Sequence, residues 1–148
     1  MTEAEFDAFV ACSVPEYAAG KVRAGNWSED EAPQRADDEF RNFLPQGLAT
    51  PGHHLYTVRD GTREVGTLWL GEIPGRQRAA FVYDIRIDTA ARGRGYGEAT
   101  MRAAEAEARR LGLTEIKLHV FADNHAARTL YEKLGYIVTN LNMSKPLE

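Results

Sequence analysis

The chain of 148 residues has a single cysteine, Cys12, which excludes an intrachain disulfide and any cysteine-built metal cluster. A reducing compartment suits such a chain, and a cytoplasmic location is expected. His53, His54, His119 and His125 contain no pair at i, i+4 spacing with an acidic neighbour, so no metal is assigned. The apolar runs are short and interrupted, and the first residues lack a basic-then-apolar signal; neither membrane insertion nor export is expected. Basic charge is scarce as well. A net charge of −4 argues against nucleic acid as a non-specific partner, which needs a basic face. No lysine stands between Lys21 and Lys117, so a Walker A phosphate loop, which needs Gly-Lys-Ser/Thr at its end, is absent from the middle of the chain.

Glycine, by contrast, is concentrated where it matters. Residues 85–97 read Ile-Arg-Ile-Asp-Thr-Ala-Ala-Arg-Gly-Arg-Gly-Tyr-Gly, with three glycines in five positions. The preceding residues 79–87 are apolar and β-branched enough for a largely buried strand, and 98–111 are rich in Ala, Glu and Arg, the strong helix formers. A strand, a glycine-rich turn and a helix start put unpaired amides at the positive end of a helix dipole, which is a site for phosphate. The dinucleotide fingerprint G-x-G-x-x-G fails, because Glu98 stands where the third glycine belongs.

The basic residues Arg76, Arg78, Arg86, Arg92, Arg94 and Arg102 cluster around this stretch, whereas residues 3–39 are mostly acidic. A local positive patch on an acidic protein suits a small polyanion; a solvated surface of arginines is the alternative. With 43% hydrophobic residues the chain can build one core, and 1–148 is expected to be one domain.

In chain order, Thr2-x-x-Glu5 is a capping box that opens a helix carrying Phe6, Phe9 and Val10 on one face. Pro15 is expected to interrupt it, with helix resuming over 16–24. Ser28-x-x-Glu31 is a second capping box, leading a helix that carries Phe40, Phe43 and Leu44 and ends before Pro45. Strands over 55–58 and 64–73 flank Asp60-Gly61, a hairpin signal, and 75–78 turn the chain into the central strand. A regular central strand puts Tyr83, Ile85 and Ile87 on one face and Val82, Asp84 and Arg86 on the other. The next helix ends at Gly112. Residues 114–121 alternate as a strand, parallel to the central one because a helical crossover returns the chain to the same end of the sheet. Asp123 or Asn124 caps a short helix closed by Gly135, and 136–143 form the last strand.

Arg-x-x-Gly-x-Gly at 92–97, preceded by Ile-x-Ile at Ile85 and Ile87, resembles the pyrophosphate loop of the GCN5-related N-acetyltransferases, the GNAT superfamily. A second block is similar to that family's motif after the next strand: Asn124-x-x-Ala127-x-x-Leu130-Tyr131-Glu132-Lys133-Leu134-Gly135-Tyr136. The resemblance covers 55–143 and is poor over the first fifty residues. It implies a mixed α/β fold with two N-terminal helices and a mostly antiparallel sheet containing one splayed parallel strand pair. Two departures stand out: the family's first strand has no room before the first helix, and the C-terminal hairpin is shortened. A sheet edge left open by the first of these predicts a homodimer.

The resemblance also implies acetyl-CoA as cosubstrate. Backbone groups of Ile85 and Ile87 would pair with the pantetheine arm, and amides from Gly93 to Glu98 would hold the pyrophosphate. Arg86, Arg92, Arg94, Gly95, Tyr96 and Gly97 fall within the same cofactor stretch. Asn124 matches the family asparagine near the pantetheine, with a plain helix cap as the alternative, and Arg128 lies one turn later on the same face, able to meet CoA phosphates or remain solvated. Tyr131 matches the tyrosine that reaches the CoA sulfur and protonates the leaving thiolate; the alternative is a packing role. Tyr83 and Asp84 are candidates for the base, Asp84 only if a β-bulge turns it toward the cleft, with a water chain ending at Tyr83 or an acidic residue of the first two helices as equal alternatives. Tyr17, Trp27 and Trp69 could line an acceptor pocket or belong to the core.

The implied activity is N-acetyl transfer to a primary amine of a small molecule or a protein. A CoA-binding regulatory protein of the same fold without turnover is the competing reading, and a nucleotide- or phosphate-binding module with no link to CoA is a third.

Overall fold

The structure is a computed structural model and describes residues 1–75 and 78–148. Arg76, one member of the expected arginine cluster, lies outside the described residues. Helix α1 (Glu3–Arg23) and helix α2 (Ala32–Phe43) lead into strands β1 (His53–Asp60), β2 (Arg63–Glu72) and β3 (Ala79–Ile87). Helix α3 (Tyr96–Arg110), strand β4 (Glu115–Leu118) and helix α4 (His125–Lys133) follow.

The four strands stand in the order β1-β2-β3-β4, antiparallel except for the parallel β3–β4 pair. One face of the sheet takes α3 and α4 and buries Leu68, Leu70, Val82, Met101 and Tyr131, with Ala80, Ala104 and Ala108 small enough to bring α3 close. The other face takes α1 and α2 around Phe9, Phe40, Leu44, Leu55 and Trp69. Truncating a core side chain such as Leu70, which has no exposure, would cost about 2–5 kcal/mol.

The capping box at Thr2 forms: its hydroxyl accepts the Glu5 amide at 3.2 Å, and the Glu5 carboxylate accepts the Thr2 amide at 2.7 Å. Pro15, however, does not interrupt α1, which runs through it. A proline forfeits one backbone hydrogen bond there, but Phe9 and Ser13 before it and Ala18 and Gly20 after it are all buried, and that packing holds the two halves in one helix. The second capping box is also displaced. Ser28 accepts the Glu31 amide at 3.4 Å within a turn, and α2 begins at Ala32 with proline in its first turn, a position that needs no amide donor.

Two further corrections concern the sheet. Residues 136–148 form no strand, and each residue from 137 onward is exposed. The central strand is irregular as well. Trp69 pairs with Asp84 and Leu70 with Val82, so Tyr83 is an extra residue opposite a single step of β2. This β-bulge, the condition on which Asp84 was a candidate base, breaks the regular alternation: Val82 and Ile85 pack toward α3 and α4, while Tyr83 turns to the face covered by α1 and α2 and Asp84 reaches Ser13 of α1.

Candidate functional site

β3 and β4 pair only from Ala79–Glu115 to Val82–Leu118, although β3 continues to Ile87. The parallel strands part at their C-terminal ends, and the backbone of β3 beyond Val82 faces no strand on that side among the described residues. A crevice at the carboxyl ends of parallel strands is where open α/β sheets bind ligands. Two helix N-termini border it, those of α3 and α4.

The loop into α3 leaves amide donors at a helix start, an arrangement that can hold an anion. Gly95 is the N-cap residue at φ 83°, a left-handed conformation that costs a side-chain-bearing residue strain, and Gly93 adopts φ 76°. The first bond of the helix runs from the Ala99 amide to the Gly95 carbonyl at 3.1 Å, so the amides of Tyr96, Gly97 and Glu98 lead the helix without backbone partners among the described residues. Side chains of Tyr96 and Arg92 brace the turn. Tyr96 Oη donates to Asp60 at 2.5 Å, tying the loop to the β1–β2 hairpin, and Arg92 Nε donates to the Ile87 carbonyl at 3.0 Å.

The arginines do not converge as expected. Arg78 stands at the opposite end of β3 from the loop, Arg86 faces Asp88 at 3.8 Å, and Arg102 is paired with Glu98 at 3.0 Å. Only Arg92 and Arg94 remain on the loop itself. Glu98, whose charge would oppose an anion, is engaged by Lys133 at 2.7 Å and by Arg102; those hydrogen bonds hold its carboxyl below the usual range.

On the other side of the crevice, Asn124 caps α4, its Oδ1 accepting the Ala127 amide at 3.2 Å. Its amide nitrogen has no hydrogen-bond partner among the described residues. Arg128 Nη1 donates to the Ala122 carbonyl at 3.2 Å across the exposed turn between β4 and α4. Tyr131 is 8% exposed, and its hydroxyl has no hydrogen-bond partner among the described residues. Burial pushes its phenol up from the ordinary 10, and the charge of Asp84 pushes in the same direction. The two groups stand on opposite faces of the sheet.

Asp84 is where the bulge has its chemical effect. Its carboxylate accepts the Ser13 hydroxyl at 3.1 Å, and Ser13 is itself 3% exposed on the inner face of α1. Burial raises the Asp84 pKa from 3.8 to about 6, with Glu16 adding to the rise while Ser13 and Arg86 oppose it. Such a carboxyl is ionised at neutral pH yet ready to accept a proton. Tyr83, by contrast, has its phenol raised by burial and is a poor base near neutrality.

Tyr83 instead builds an aromatic wall. It stacks on Trp69 at 4.7 Å and 19°, Phe43 packs on it at 5.1 Å, and His53 at 5.3 Å. Gly71 makes this possible, since a Cβ there would lie 2.4 Å from the Tyr83 ring. Trp69 Nε1 donates to His53 Nδ1 at 3.0 Å, and burial keeps the imidazole below its ordinary pKa. Of the aromatics expected either in a pocket or in the core, Trp27 (8% exposed) and Trp69 (2%) are core, and the Tyr17 hydroxyl donates to Glu39 at 2.7 Å.

Ser13, Phe43 and His53 were not expected at this site, whereas Glu16 is one of the acidic residues of the first two helices. A signal for Ser13 exists in the sequence: Phe9, Ser13 and Tyr17 share a helical stripe, and a hydroxyl on an apolar face needs a buried partner. Phe43 and His53 carry no such signal.

The family model described as the acetyltransferase (GNAT) family matches residues 21–136. An uncharacterised N-acetyltransferase of Bacillus subtilis, YycN, is 38% identical over 99% of this chain and 96% of its own length. The crystal structure of YycN superposes with a TM-score of 0.95 at 37% identity, covering all of this chain and 96% of that one. A mycothiol acetyltransferase of Geodermatophilus obscurus is 34% identical over 80% of this chain but only 37% of its own length.

Proposed function

Because this chain belongs to the acetyltransferase (GNAT) family, whose members use acetyl-CoA as cosubstrate, we propose that it transfers the acetyl group of acetyl-CoA to a primary amine of a small molecule or a protein by direct attack. The observation that carries this reading is Asp84, a buried carboxylate with a pKa of about 6 that a β-bulge turns toward α1 at the level where β3 and β4 part.

The residues present fit the cosubstrate. The amides of Tyr96, Gly97 and Glu98 would hold the pyrophosphate, and the unpaired edge of β3 over Ile85 and Ile87 would hold an amide-bearing arm in the manner of an added strand. The Asn124 amide nitrogen is free to donate to the same arm. When bound, acetyl-CoA supplies an activated acetyl thioester.

The chain's own groups supply the proton handling. Asp84 accepts the proton that an arriving ammonium must lose before it can attack, and a base of pKa about 6 remains ionised at pH 7. Glu16 beside it favours a cationic acceptor. Tyr131, its hydroxyl without a hydrogen-bond partner among the described residues and its pKa raised, holds a proton to give to the departing thiolate. The aromatic wall of Tyr83, Phe43 and His53 would pack the acceptor's apolar part. The competing picture of a binding protein without turnover rested on the want of a base, and Asp84 weakens it.

The test is thiol release from acetyl-CoA across a panel of amines, paired with calorimetric titration of acetyl-CoA. Turnover with at least one amine is expected. Gly95→Val, which forces a β-branched residue to φ 83°, should abolish the binding heat while the fold persists. Binding without turnover across a broad panel would favour the regulatory reading, and unchanged affinity in folded Gly95→Val would remove the loop from the site.

A further inference from the structure

Helix α3 is held over the sheet unevenly. On the α4 side its first turn is packed and paired: a Cβ on Gly97 would lie 3.3 Å from Leu130, and the Glu98 carboxylate accepts Lys133 of α4 at 2.7 Å. On the β1 side α3 presents Ala99 and Ala103, and a groove of about 370 Å³ lies between these and Tyr56, Val58 and Leu68 of the sheet. Apolar packing fixes a helix only where side chains fill the space beneath it.

Polar struts span this groove instead. Toward the end of α3, Tyr56 of β1 donates its hydroxyl to Glu107 at 2.8 Å, and Arg110 grips the same carboxylate at 2.7 and 2.8 Å. At the start of α3 the roles reverse: Tyr96, the first residue of the helix, donates to Asp60, the last residue of β1, at 2.5 Å. One turn later the Thr100 hydroxyl donates back to the Tyr96 carbonyl at 2.7 Å. The hydrogen bond to Asp60 is the main cause that raises the Tyr96 phenol above its ordinary range, so its proton stays on the strut at neutral pH.

The charge of Asp60 works against an anion at the loop. A carboxylate near a phosphate repels it, and Asp60 stands one tyrosine's length from the Tyr96 amide. What Asp60 supplies is an anchor. Tyr96 carries both an amide of the anion site and the ring that the β1–β2 hairpin holds, so this hydrogen bond fixes the leading amide before a ligand arrives. Terminal helical turns fray, and a ligand that must order a frayed turn loses that free energy from its binding.

Taking acetyl-CoA as the ligand of this loop, as proposed above, we infer that Asp60 is a positioning residue for it: through Tyr96, Asp60 ties the β1–β2 hairpin to the first turn of α3 and holds the pyrophosphate amides in their binding arrangement. No turnover is needed to see this role.

Calorimetric titration of acetyl-CoA into folded variants, with Tm measured alongside, tests it by sign. Asp60→Ala removes both charge and anchor; relief of repulsion alone would tighten binding, whereas loss of the strut raises Kd about 3- to 10-fold, the worth of one net hydrogen bond. Tyr96→Phe, which leaves the hairpin untouched, should show the same rise, and Asp60→Ala should add nothing to it. Asp60→Asn keeps an oxygen for the Tyr96 hydroxyl and drops the charge, so it should bind at least as tightly as the native chain. Tyr56→Phe removes the strut at the far end of α3 and should lower Tm without moving Kd. A native chain that binds no acetyl-CoA overturns the assignment of the loop and this role with it. Native binding that folded Asp60→Ala or Tyr96→Phe leaves unchanged or tightens overturns the role of Asp60 alone. So does a rise in Asp60→Asn equal to that in Asp60→Ala, or an equal rise in Tyr56→Phe.

Discussion

Replacing Asp84 by Asn should stabilise the fold at neutral pH while removing the activity. The carboxyl has a folded-state pKa of about 6 against an ordinary 3.8, so the native state binds its proton more tightly than the unfolded chain does. Below pH 3.8 both states are protonated and this group contributes its full stability; as pH rises through about 6 that contribution is lost. A difference of about two pH units corresponds to about 3 kcal/mol at pH 7. Asn removes the charge and keeps an oxygen to accept the Ser13 hydroxyl, so most of that amount should be recovered. For a chain of this size the gain raises Tm by roughly 6–12 °C. The assay is denaturant unfolding of both proteins from pH 4 to pH 8, in which the other carboxylates cancel between variants. The gain should be near zero at pH 4 and reach its plateau above pH 6. A gain equal at both extremes, or a loss at pH 7, would show that the Asp84 charge is not strained by burial. The same substitution should lower kcat by ~10² to 10⁴, the range for losing a general base.

Tyr131→Phe should leave acetyl-CoA affinity nearly unchanged, because the ring still packs, and lower kcat by ~10² to 10⁴; the alkaline limb of the wild-type profile should lie above pH 10, where burial and Asp84 push the phenol, and flatten in the variant. Full kcat with acyl transfer rate-limiting would make Tyr131 structural. Ser13→Ala removes the hydrogen bond that holds the Asp84 carboxyl down, so the acid limb of kcat/KM should move to higher pH. An unmoved limb in a folded Ser13→Ala protein would mean that some other group is the base.

What the sequence made legible was local. The loop at 92–97 declares itself because only glycine takes up φ 83° at Gly95 without strain, and the caps at Thr2, Asn124 and Gly112 follow from donors and acceptors a few residues apart. Pro15 was misleading for the complementary reason. Its local preference opposes a helix interior, and only packing between elements distant in sequence outweighs it. The arginines misled in the same way: proximity in sequence to the loop placed Arg78 there, but a strand carries it to the far end of the sheet. The tail at 136–143 has a strand's alternation, but a strand needs a partner edge, and no period in one chain says which edge that is.

The bulge at Tyr83 shows why the site could be outlined but not completed from sequence. A period-two reading must place Tyr83 and Asp84 on opposite faces, and by that rule one of them points away from the cleft. One extra residue opposite the Trp69–Leu70 step turns both to the face covered by α1 and α2. Three consequences follow from that insertion. Tyr83 lies flat on Trp69 over the space that Gly71 leaves, Asp84 meets Ser13 and takes on a pKa of about 6, and Val82 is the last β3 residue to pair with β4. Twist and bending increase at a bulge, which suits the parting of β3 from β4 at the same level. The aromatic wall, the buried carboxylate and the crevice between the strands thus depend on one irregularity of the backbone. It is fixed by how β2 and β3 pair, and no residue of β3 announces it alone.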